Sequence, residues 1–202
     1  MMASKPRVVV GYHGTTVDEA EKLLAGPLQD SGKVSRWLGQ GIYFFEYNVE
    51  AATHWASNRA AKAATSAAII RAEIDLSTCL DLTRSTFQSL VRNAHRTLQA
   101  EWKSNPGKQI SQKPFELHLG QVRAGYKGDW QDYGRNELDF QVIEKAIELS
   151  KLQNNVAYET VRGAFIELGP LYPNSWLFEG AHVAIAVRSP FARVSNLKMF
   201  EL

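Results

Sequence analysis

A histidine followed by glycine is the first feature with chemical potential, in the run Tyr12-His13-Gly14-Thr15-Thr16. Three consecutive valines precede the run and predict a strand over residues 7–12. Alternation along that strand puts Val9, Gly11 and His13 on one face, with His13 at its carboxyl end. Flanking glycines leave the backbone open to a ligand. The segment predicts either a ligand-contacting histidine or an ordinary strand-to-helix turn.

The second feature is the run Trp37-Leu-Gly-Gln-Gly-Ile-Tyr-Phe-Phe45. Gly39 and Gly41 permit a sharp bend, and alternation places Tyr43 opposite Ile42 and Phe44. An aromatic ring and an imidazole at two strand ends could sandwich a planar heterocycle, although the run is equally typical of core with a glycine turn. Its glycine spacing is not that of the G-x-G-x-x-G fingerprint, which excludes a Rossmann dinucleotide site.

Around these motifs the hydrophobic periodicity predicts strands framing a helical middle, which indicates an α+β fold with mixed, mainly antiparallel pairing. Thr16 and Glu19 form a capping-box pattern at the start of a short helix, and Asn48 is expected to cap the next. Further strands are expected at about residues 42–45, 69–76, 160–167, 182–188 and 193–200. Further helices are expected at about 48–64, 84–100 and 137–151, with Ala52, Trp55, Ala56 and Ala60 on the inward face of the first.

Composition limits the class of protein. The 202 residues are 45% hydrophobic and 22% charged, with 23 basic against 21 acidic residues and a net charge of +2. This composition is that of a globular chain of one domain. A single cysteine, Cys79, excludes an internal disulfide and reads as a small buried residue, and the five histidines lack metal-ligand spacing, so no metal is expected. His54 is expected to be a surface or packing residue. No apolar run is long enough to span a membrane, and we expect a soluble, cytoplasmic protein.

The segment of about residues 84–135 is expected to be a basic helical and loop insertion. Residues 84–127 hold eight basic and two acidic side chains, a local charge of +6. The interleaved aromatic residues could stack on unpaired bases of a nucleic acid; they are Trp102, Tyr126, Trp130 and Tyr133. A solvated basic helix face would explain the same residues equally well.

Taken together, the two motifs resemble a known family. Y-H-G-T, followed about thirty residues later by G-x-G-I-Y-F and an alanine-rich helix, resembles the ADP-ribosyltransferase superfamily. The similarity is to its poly(ADP-ribose) polymerase and diphtheria-toxin branch, whose motif letters are His, Tyr and Glu. The stretches at 161–167 and 182–190 resemble a bacterial and phage subgroup. The resemblance implies one domain over residues 1–202, with two small facing sheets forming an NAD cleft.

The resemblance also implies roles for individual residues. His13 would hydrogen-bond the adenosine ribose of NAD, and the Gly14 backbone would pair with the nicotinamide carboxamide. Tyr43 would stack on the nicotinamide, with Thr15 near a ribose and Gly41 among the NAD-binding residues. The family reaction breaks the nicotinamide–ribose bond through an oxocarbenium-like state, which parallels glycoside cleavage.

The third family motif departs from the pattern. The family glutamate would fall near His182 or Ala184, and neither residue is a carboxylate. Glu179 is the leading candidate to replace this glutamate, and Glu167 is the second. His182 could instead act as a hydrogen-bond donor or base. Because polymer elongation in the family relies on that glutamate, the departure favours transfer of a single ADP-ribose. Trp176 and Phe178 lie in the loop where the family meets its acceptor, unless they fold inward.

We therefore expect a mono-ADP-ribosyltransferase that transfers ADP-ribose from NAD to RNA, DNA or protein and releases nicotinamide. By the resemblance it would be a bacterial or phage toxin or defence effector, with an antitoxin as a further partner. Two alternatives stay open: an NAD glycohydrolase, in which water is the acceptor, and a module that binds NAD or ADP-ribose without turnover.

Overall fold

A computed structural model of the chain describes residues 7–30, 37–108, 137–166, 170–172, 175 and 177–201. Within these ranges the fold is α+β, as predicted. The strands are β1 (Val8–Thr16), β2 (Ile42–Glu46), β3 (Ala67–Asp75), β4 (Cys79–Asp81), β5 (Thr160–Phe165), β6 (His182–Val187) and β7 (Val194–Phe200). The α-helices are α1 (Val17–Ala25), α2 (Val49–Ala63), α3 (Gln88–Ser104) and α4 (Glu137–Asn154).

The described strands form one mixed sheet in the order β4-β5-β6-β2-β1-β3-β7. Only β4 and β5 run parallel. The expectation of two separate facing sheets is therefore wrong, because β1 joins the two halves. It pairs with β3 along its whole length but with β2 only at Gly11–Glu46 and Tyr12–Phe45. Such a short ladder holds the halves in one sheet while letting them turn sharply against each other.

One guanidinium shows how far the sheet turns. Arg193 Nε donates to Glu159 at 2.6 Å, and its Nη1 donates to Asp75 at 2.8 Å. Asp75 ends β3, whereas Glu159 immediately precedes β5, and three strands lie between β3 and β5. In a flat sheet those strands would be about 19 Å apart. The two halves of the single sheet are thus folded towards each other.

The fold gives the sheet an inner and an outer face. The inner face is filled by apolar residues of both halves, namely Val9, Ile42, Phe44, Ala72, Ile74, Ile185 and Val187. On the outer face, α2 packs on β1 and β3 through Ala52 and Ala56. Helices α3 and α4 cover the outer face of β5 and β6, in a cluster that includes Tyr43, Ala184 and Ala186. The predicted alternation, with Tyr43 opposite Ile42 and Phe44, is confirmed.

Local signals set most element ends. The Thr16 side chain accepts from the backbone N–H of Glu19 at 3.4 Å and caps α1, and Asn48 caps α2 by accepting from Ala51 at 2.8 Å. The strand at His13 is longer than predicted, because β1 continues to Thr16 in register with β3. His13 is therefore inside a strand rather than at its end. No helix in the described ranges combines the length and apolar character needed to cross a membrane.

The described part of the expected insertion is a helical layer of the core. Ala94, Leu98 and Trp102 of α3 are buried against α4. Trp102 thus contributes to the core, and its expected role as a stacking surface is wrong. Tyr126, Trp130 and Tyr133 lie outside the described residues.

Candidate functional site

The two motifs meet where β1 and β2 part. Their ladder stops after Tyr12–Phe45, and one residue further along β1 the His13 Nδ1 atom lies 2.7 Å from the Tyr43 carbonyl oxygen. A carbonyl can only accept, so Nδ1 donates and the neutral imidazole has its lone pair on Nε2. The His13 ring also packs on Phe44, with centroids 5.7 Å apart. A side chain thus bridges the gap that backbone pairing leaves.

His13 and Tyr43 do not form a sandwich. The His13 side chain leaves β1 on the inner face, whereas the Tyr43 ring packs on the outer face. A ligand that contacts both must lie across the gap between the strands. The expectation that the two rings enclose one planar heterocycle is therefore wrong.

The Tyr43 hydroxyl holds the preceding turn. It accepts from the Leu38 backbone N–H at 2.9 Å and donates to the Gly39 carbonyl at 2.8 Å. Both bonds close the turn between Leu38 and β2. Because the hydroxyl is bonded to the backbone of the turn, Tyr43 would contact a ligand through its ring.

The two turn glycines are required by packing. Gly39 and Gly41 have φ values of +81° and +148°. A Cβ on Gly39 would lie 2.4 Å from Glu144 Oε1, and a Cβ on Gly41 would lie 2.5 Å from the Val187 carbonyl oxygen. The Gly41 N–H donates to Asp30 at 2.9 Å. Gly41, expected among the NAD-binding residues, thus has a structural task in the turn.

An ion pair supports the same turn from behind. Arg188 binds both oxygens of Glu144, at 2.6 and 2.8 Å. Glu144 Oε1 also accepts from the Gln40 backbone N–H at 2.7 Å. The turn before Tyr43 is therefore held by both α4 and the end of β6, and this fixes the position of the Tyr43 backbone.

The residues after His13 are closely packed. A Cβ on Gly14 would lie 2.1 Å from the Ala52 carbonyl oxygen, so this glycine lets α2 lie directly on β1. Thr15 is fully buried, and its hydroxyl donates to Glu19 at 2.5 Å. Arg59 of α2 binds the same Glu19 oxygen at 2.6 Å. The Thr15 side chain thus links α1 and α2 to β1.

The candidates for the third motif are separated by the structure. Glu179 is exposed in the turn before β6, and no hydrogen bond among the described residues joins it to His13 or Tyr43. Glu167 and Trp176 lie outside the described residues. His182 is half-buried at the start of β6, and its Nδ1 donates to the Gly180 carbonyl at 2.9 Å. Of the three candidates, His182 is the one that the described contacts bring to the outer face beside β2.

Strand register explains the position of His182. Phe45 pairs with Ala184 and Tyr43 with Ala186. His182 lies two residues before Ala184, so its side chain shares their face. Its ring makes an edge contact with Phe45 at 4.9 Å. An imidazole thus occupies the outer face next to the Tyr43 strand.

This contact belongs to a series of planar side chains that sequence reasoning missed. Trp37 contacts Phe165 at a centroid distance of 4.5 Å, and Phe165 contacts His182 at 5.9 Å. His182 contacts Phe45, and Phe45 contacts Trp55 of α2 at 6.4 Å. We call these five residues the aromatic row. Trp55, predicted inward, is 38% exposed at one end of the row. One indication of the aromatic row could be found in the sequence, because strand alternation places Phe45 on the same face as Tyr43.

A charged cluster sits under the other face of β2. Arg162 of β5 donates to Glu46 at 2.5 Å, to Asp81 at 3.1 Å and to Thr83 at 2.7 Å. The hydrogen bond to Glu46 is the main reason that the pKa of Arg162 is raised. Burial works to raise the pKa of Asp81, but hydrogen bonds from Thr83 and Arg162 outweigh it and the pKa is lowered. The cluster ties β2 to β4 and β5, and the lowered pKa of Asp81 and the raised pKa of Arg162 keep this pair charged at neutral pH.

Two other sequence candidates have structural roles. Burial raises the pKa of the Cys79 thiol to about 11, so the thiol is protonated at neutral pH and a poor nucleophile. His54 is exposed on α2 and bonds Asn58 at 3.1 Å, as expected for a surface residue. Within the described ranges, no three His, Cys, Asp or Glu side chains converge as metal ligands do.

No protein-family model, curated protein or solved structure matches this chain. The function must therefore be inferred from the motifs and from the geometry of the site.

Proposed function

We propose that this protein is a mono-ADP-ribosyltransferase that uses NAD as co-substrate and releases nicotinamide. The observation that supports this most is the hydrogen bond from His13 to the Tyr43 carbonyl. It joins the His and Tyr motifs, thirty residues apart, at a gap between two strands. The resemblance to the ADP-ribosyltransferase superfamily is to these same two motifs.

The residues at the gap offer contacts for one ribose, one flat ring and one carboxamide of NAD. His13, whose Nδ1 donates to Tyr43, would hydrogen-bond a ribose hydroxyl as the family resemblance implies. The Tyr43 ring offers a stacking face. Gly14 lies beyond the last residue that β1 pairs with β2, so its backbone borders the gap where a carboxamide would bind.

NAD supplies a ribose whose bond to nicotinamide breaks, so that nicotinamide leaves and the acceptor nucleophile bonds to the sugar carbon. The contribution of this chain is orientation: the gap between β1 and β2 fixes the ribose, and the rigid turn before Tyr43 fixes the ring. Positioning of this kind removes much of the entropic barrier of a two-substrate reaction.

His182 at the third position shapes the expected chemistry. Its Nδ1 donates to the Gly180 carbonyl, and an imidazole at this position would act as the base in place of a carboxylate. An imidazole, unlike a carboxylate, adds no negative charge to stabilise developing positive charge on the sugar. We therefore expect slow transfer of single ADP-ribose units.

The test follows nicotinamide release from NAD labelled in the nicotinamide ring, with single-stranded RNA, single-stranded DNA and cell lysate as acceptors. Release by the wild type, lost by at least tenfold in His13→Ala and in Tyr43→Ala, supports the proposal. His54→Ala is the matched control, because His54 is an exposed histidine of α2. Absence of release under every condition, with a folded protein, contradicts it.

The second candidate is a module that binds NAD or ADP-ribose without turnover. It is favoured by His182, an imidazole, standing where the family has a glutamate. Calorimetric binding of NAD that Tyr43→Ala weakens, with no nicotinamide release by either protein, would support this candidate instead. Free ADP-ribose in solution, with none on a polymer, would indicate the glycohydrolase.

A further inference from the structure

The aromatic row carries an inference about the acceptor, which rests on the proposed function for its catalytic meaning but not for binding. Its five planar side chains are in continuous contact, with neighbouring ring centroids 4.5 to 6.4 Å apart. Four of them are half-buried and the fifth, Trp55, is 38% exposed. Trp55 is thus the ring of the row that solvent reaches most, and the other four rings are held in place by their neighbours.

The row extends further than one base of NAD needs. It begins at Trp37, next to the Tyr43 turn, crosses β5, β6 and β2, and ends on α2 at Trp55. Tyr43 itself is two residues from Phe45 and on the same face. Ring faces stack on any nucleobase, and successive unpaired bases can follow a series of aromatic side chains.

On the outer face, helix α3 carries positive charge, whereas α4 has four acidic and two basic residues. Helix α3 packs in the core cluster that includes Tyr43 and Phe165. Its Arg92, Arg96 and Lys103 are exposed and, at spacings of four and seven residues, form one stripe of the helix. Over residues 84–108 there are five basic residues and one acidic residue, Glu101, and Glu101 is paired with Lys145 of α4. A polyanion next to the row would therefore meet a cationic helix.

We propose that the acceptor is a single-stranded nucleic acid whose unpaired bases stack on the aromatic row and whose phosphates are attracted by the basic stripe of α3. A duplex hides its base faces and cannot use the row. The arrangement brings an acceptor base along the same face as the Tyr43 ring.

Binding of fluorescein-labelled single-stranded RNA and DNA of 12 nucleotides, followed by anisotropy, tests the inference without NAD. Trp55→Ala should weaken binding about 5- to 150-fold, the range for loss of one base-stacking ring. Phe45→Leu, which keeps an apolar side chain, should weaken it as well. Tyr47→Ala is the matched control, since Tyr47 is 63% exposed and outside the row. It should bind as the wild type does.

The salt dependence tests the basic stripe separately. An Arg92→Ala/Arg96→Ala double variant should lower the slope of log Kd against log salt by about 1.4, as two lost phosphate contacts predict for a single strand. Duplexes of the same sequence should bind more weakly than single strands, and Trp55→Ala should not change their binding.

Equal binding of single strands by the wild type and Trp55→Ala, or transfer of ADP-ribose only to polypeptides, overturns the inference. Failure of the proposed function gives a different pattern: oligonucleotide binding that responds to Trp55→Ala as expected, without nicotinamide release from NAD. The acceptor inference and the proposed reaction can therefore fail independently.

Discussion

The His13 imidazole donates to the Tyr43 carbonyl oxygen across 2.7 Å, at the point where β1 and β2 stop pairing. This bond joins the two strands as a backbone hydrogen bond would in a continuous ladder, although the strands are not paired at this point. The tautomer of His13 is fixed at the edge of this gap. Three features follow from this relationship: a defined acceptor nitrogen, a Tyr43 backbone held in place, and a boundary between the two halves of the sheet.

Removing the Tyr43 ring and removing only its hydroxyl should have different effects. Tyr43→Phe loses the bonds to Leu38 and Gly39 but keeps the ring. It should cost about 1–3 kcal/mol of folding stability, since hydrogen-bonding groups of the turn lose their partner, and retain most nicotinamide release. Tyr43→Ala should abolish release. Thermal unfolding and the NAD assay measure the two effects, and equal loss of activity in both variants would show that the hydroxyl acts in the reaction.

Gly14→Ala should be poorly tolerated. The added methyl would lie 2.1 Å from the Ala52 carbonyl oxygen, so α2 would have to move away from β1, at a cost of about 1–3 kcal/mol or more. Gly26→Ala is the control, because nothing lies within 4 Å of its Cβ position and its φ is −147°. Urea unfolding measures both; a Gly14→Ala protein as stable as Gly26→Ala would contradict the close packing of α2 on β1.

Much of the local structure could be predicted from the sequence, because strand alternation and capping are short-range properties. The face of Tyr43, the Thr16 and Asn48 caps and the helix at 137–151 all follow from neighbouring residues. The three-residue strand β4 was not predicted, because its residues form a strand only through their pairing with β5. Burial of Trp102 was missed for the same reason, as it depends on α4.

Contacts between distant strands could not be predicted from either strand alone. His182 meets Phe45 and Phe165 only because β6 lies between β2 and β5. Arg193 binds both Asp75 and Glu159 only because the sheet folds back on itself. These pairings fix which side chains share a surface with Tyr43, and they are the reason that the aromatic row was not predicted.

The charged cluster under β2 should make stability depend on pH. Arg162→Met leaves Glu46, with 7% side-chain exposure, without its cation and leaves Asp81, with 6%, paired to Arg7 at 3.4 Å, and should cost about 3–5 kcal/mol at pH 7. Arg162→Lys should lose less, because it keeps the charge. Guanidinium unfolding at pH 7 gives the difference, and a loss under 1 kcal/mol would show that the cluster contributes little.

The pH dependence has a definite sign. In the wild type the pKa of Asp81 is below its ordinary value of 3.8, so its stabilising effect is complete above about pH 4 to 5 and is lost as pH falls through the lowered pKa. Without Arg162, burial raises the pKa of the Asp81 carboxyl, so that Asp81 takes up its proton in the folded state at a higher pH than in the wild type. The stability gap between the wild type and Arg162→Met should therefore narrow from pH 7 to pH 4; a constant gap would contradict the proposed pairing.

The Cys79 thiol should be unreactive in the folded protein. Its pKa of about 11, against an ordinary value of 9.0, lowers the thiolate fraction at pH 7.5 by about a hundredfold. Alkylation by iodoacetamide should thus be about a hundred times slower than in urea-unfolded protein, and nicotinamide release should survive the treatment. Rapid alkylation of folded protein at pH 7.5, followed by mass spectrometry, would argue for an activated cysteine.

Expression in a bacterial host should be toxic if the protein is the effector that the family resemblance suggests. Depletion of NAD or modification of an essential nucleic acid would both slow growth. Tyr43→Ala should relieve the toxicity, and His54→Ala should not, since His54 is exposed on α2. Growth curves with matched expression levels decide this, and equal toxicity of the wild type and Tyr43→Ala would remove the effector role.

The most direct measurement of the central claim is a mass balance on NAD labelled separately in nicotinamide and in adenine, with purified wild-type protein and a 12-nucleotide single strand. We expect nicotinamide to be released in step with the appearance of adenine label on the oligonucleotide, and Tyr43→Ala to abolish both. Folded wild-type protein that releases no nicotinamide, with the oligonucleotide or with lysate, would contradict the proposed transferase reaction.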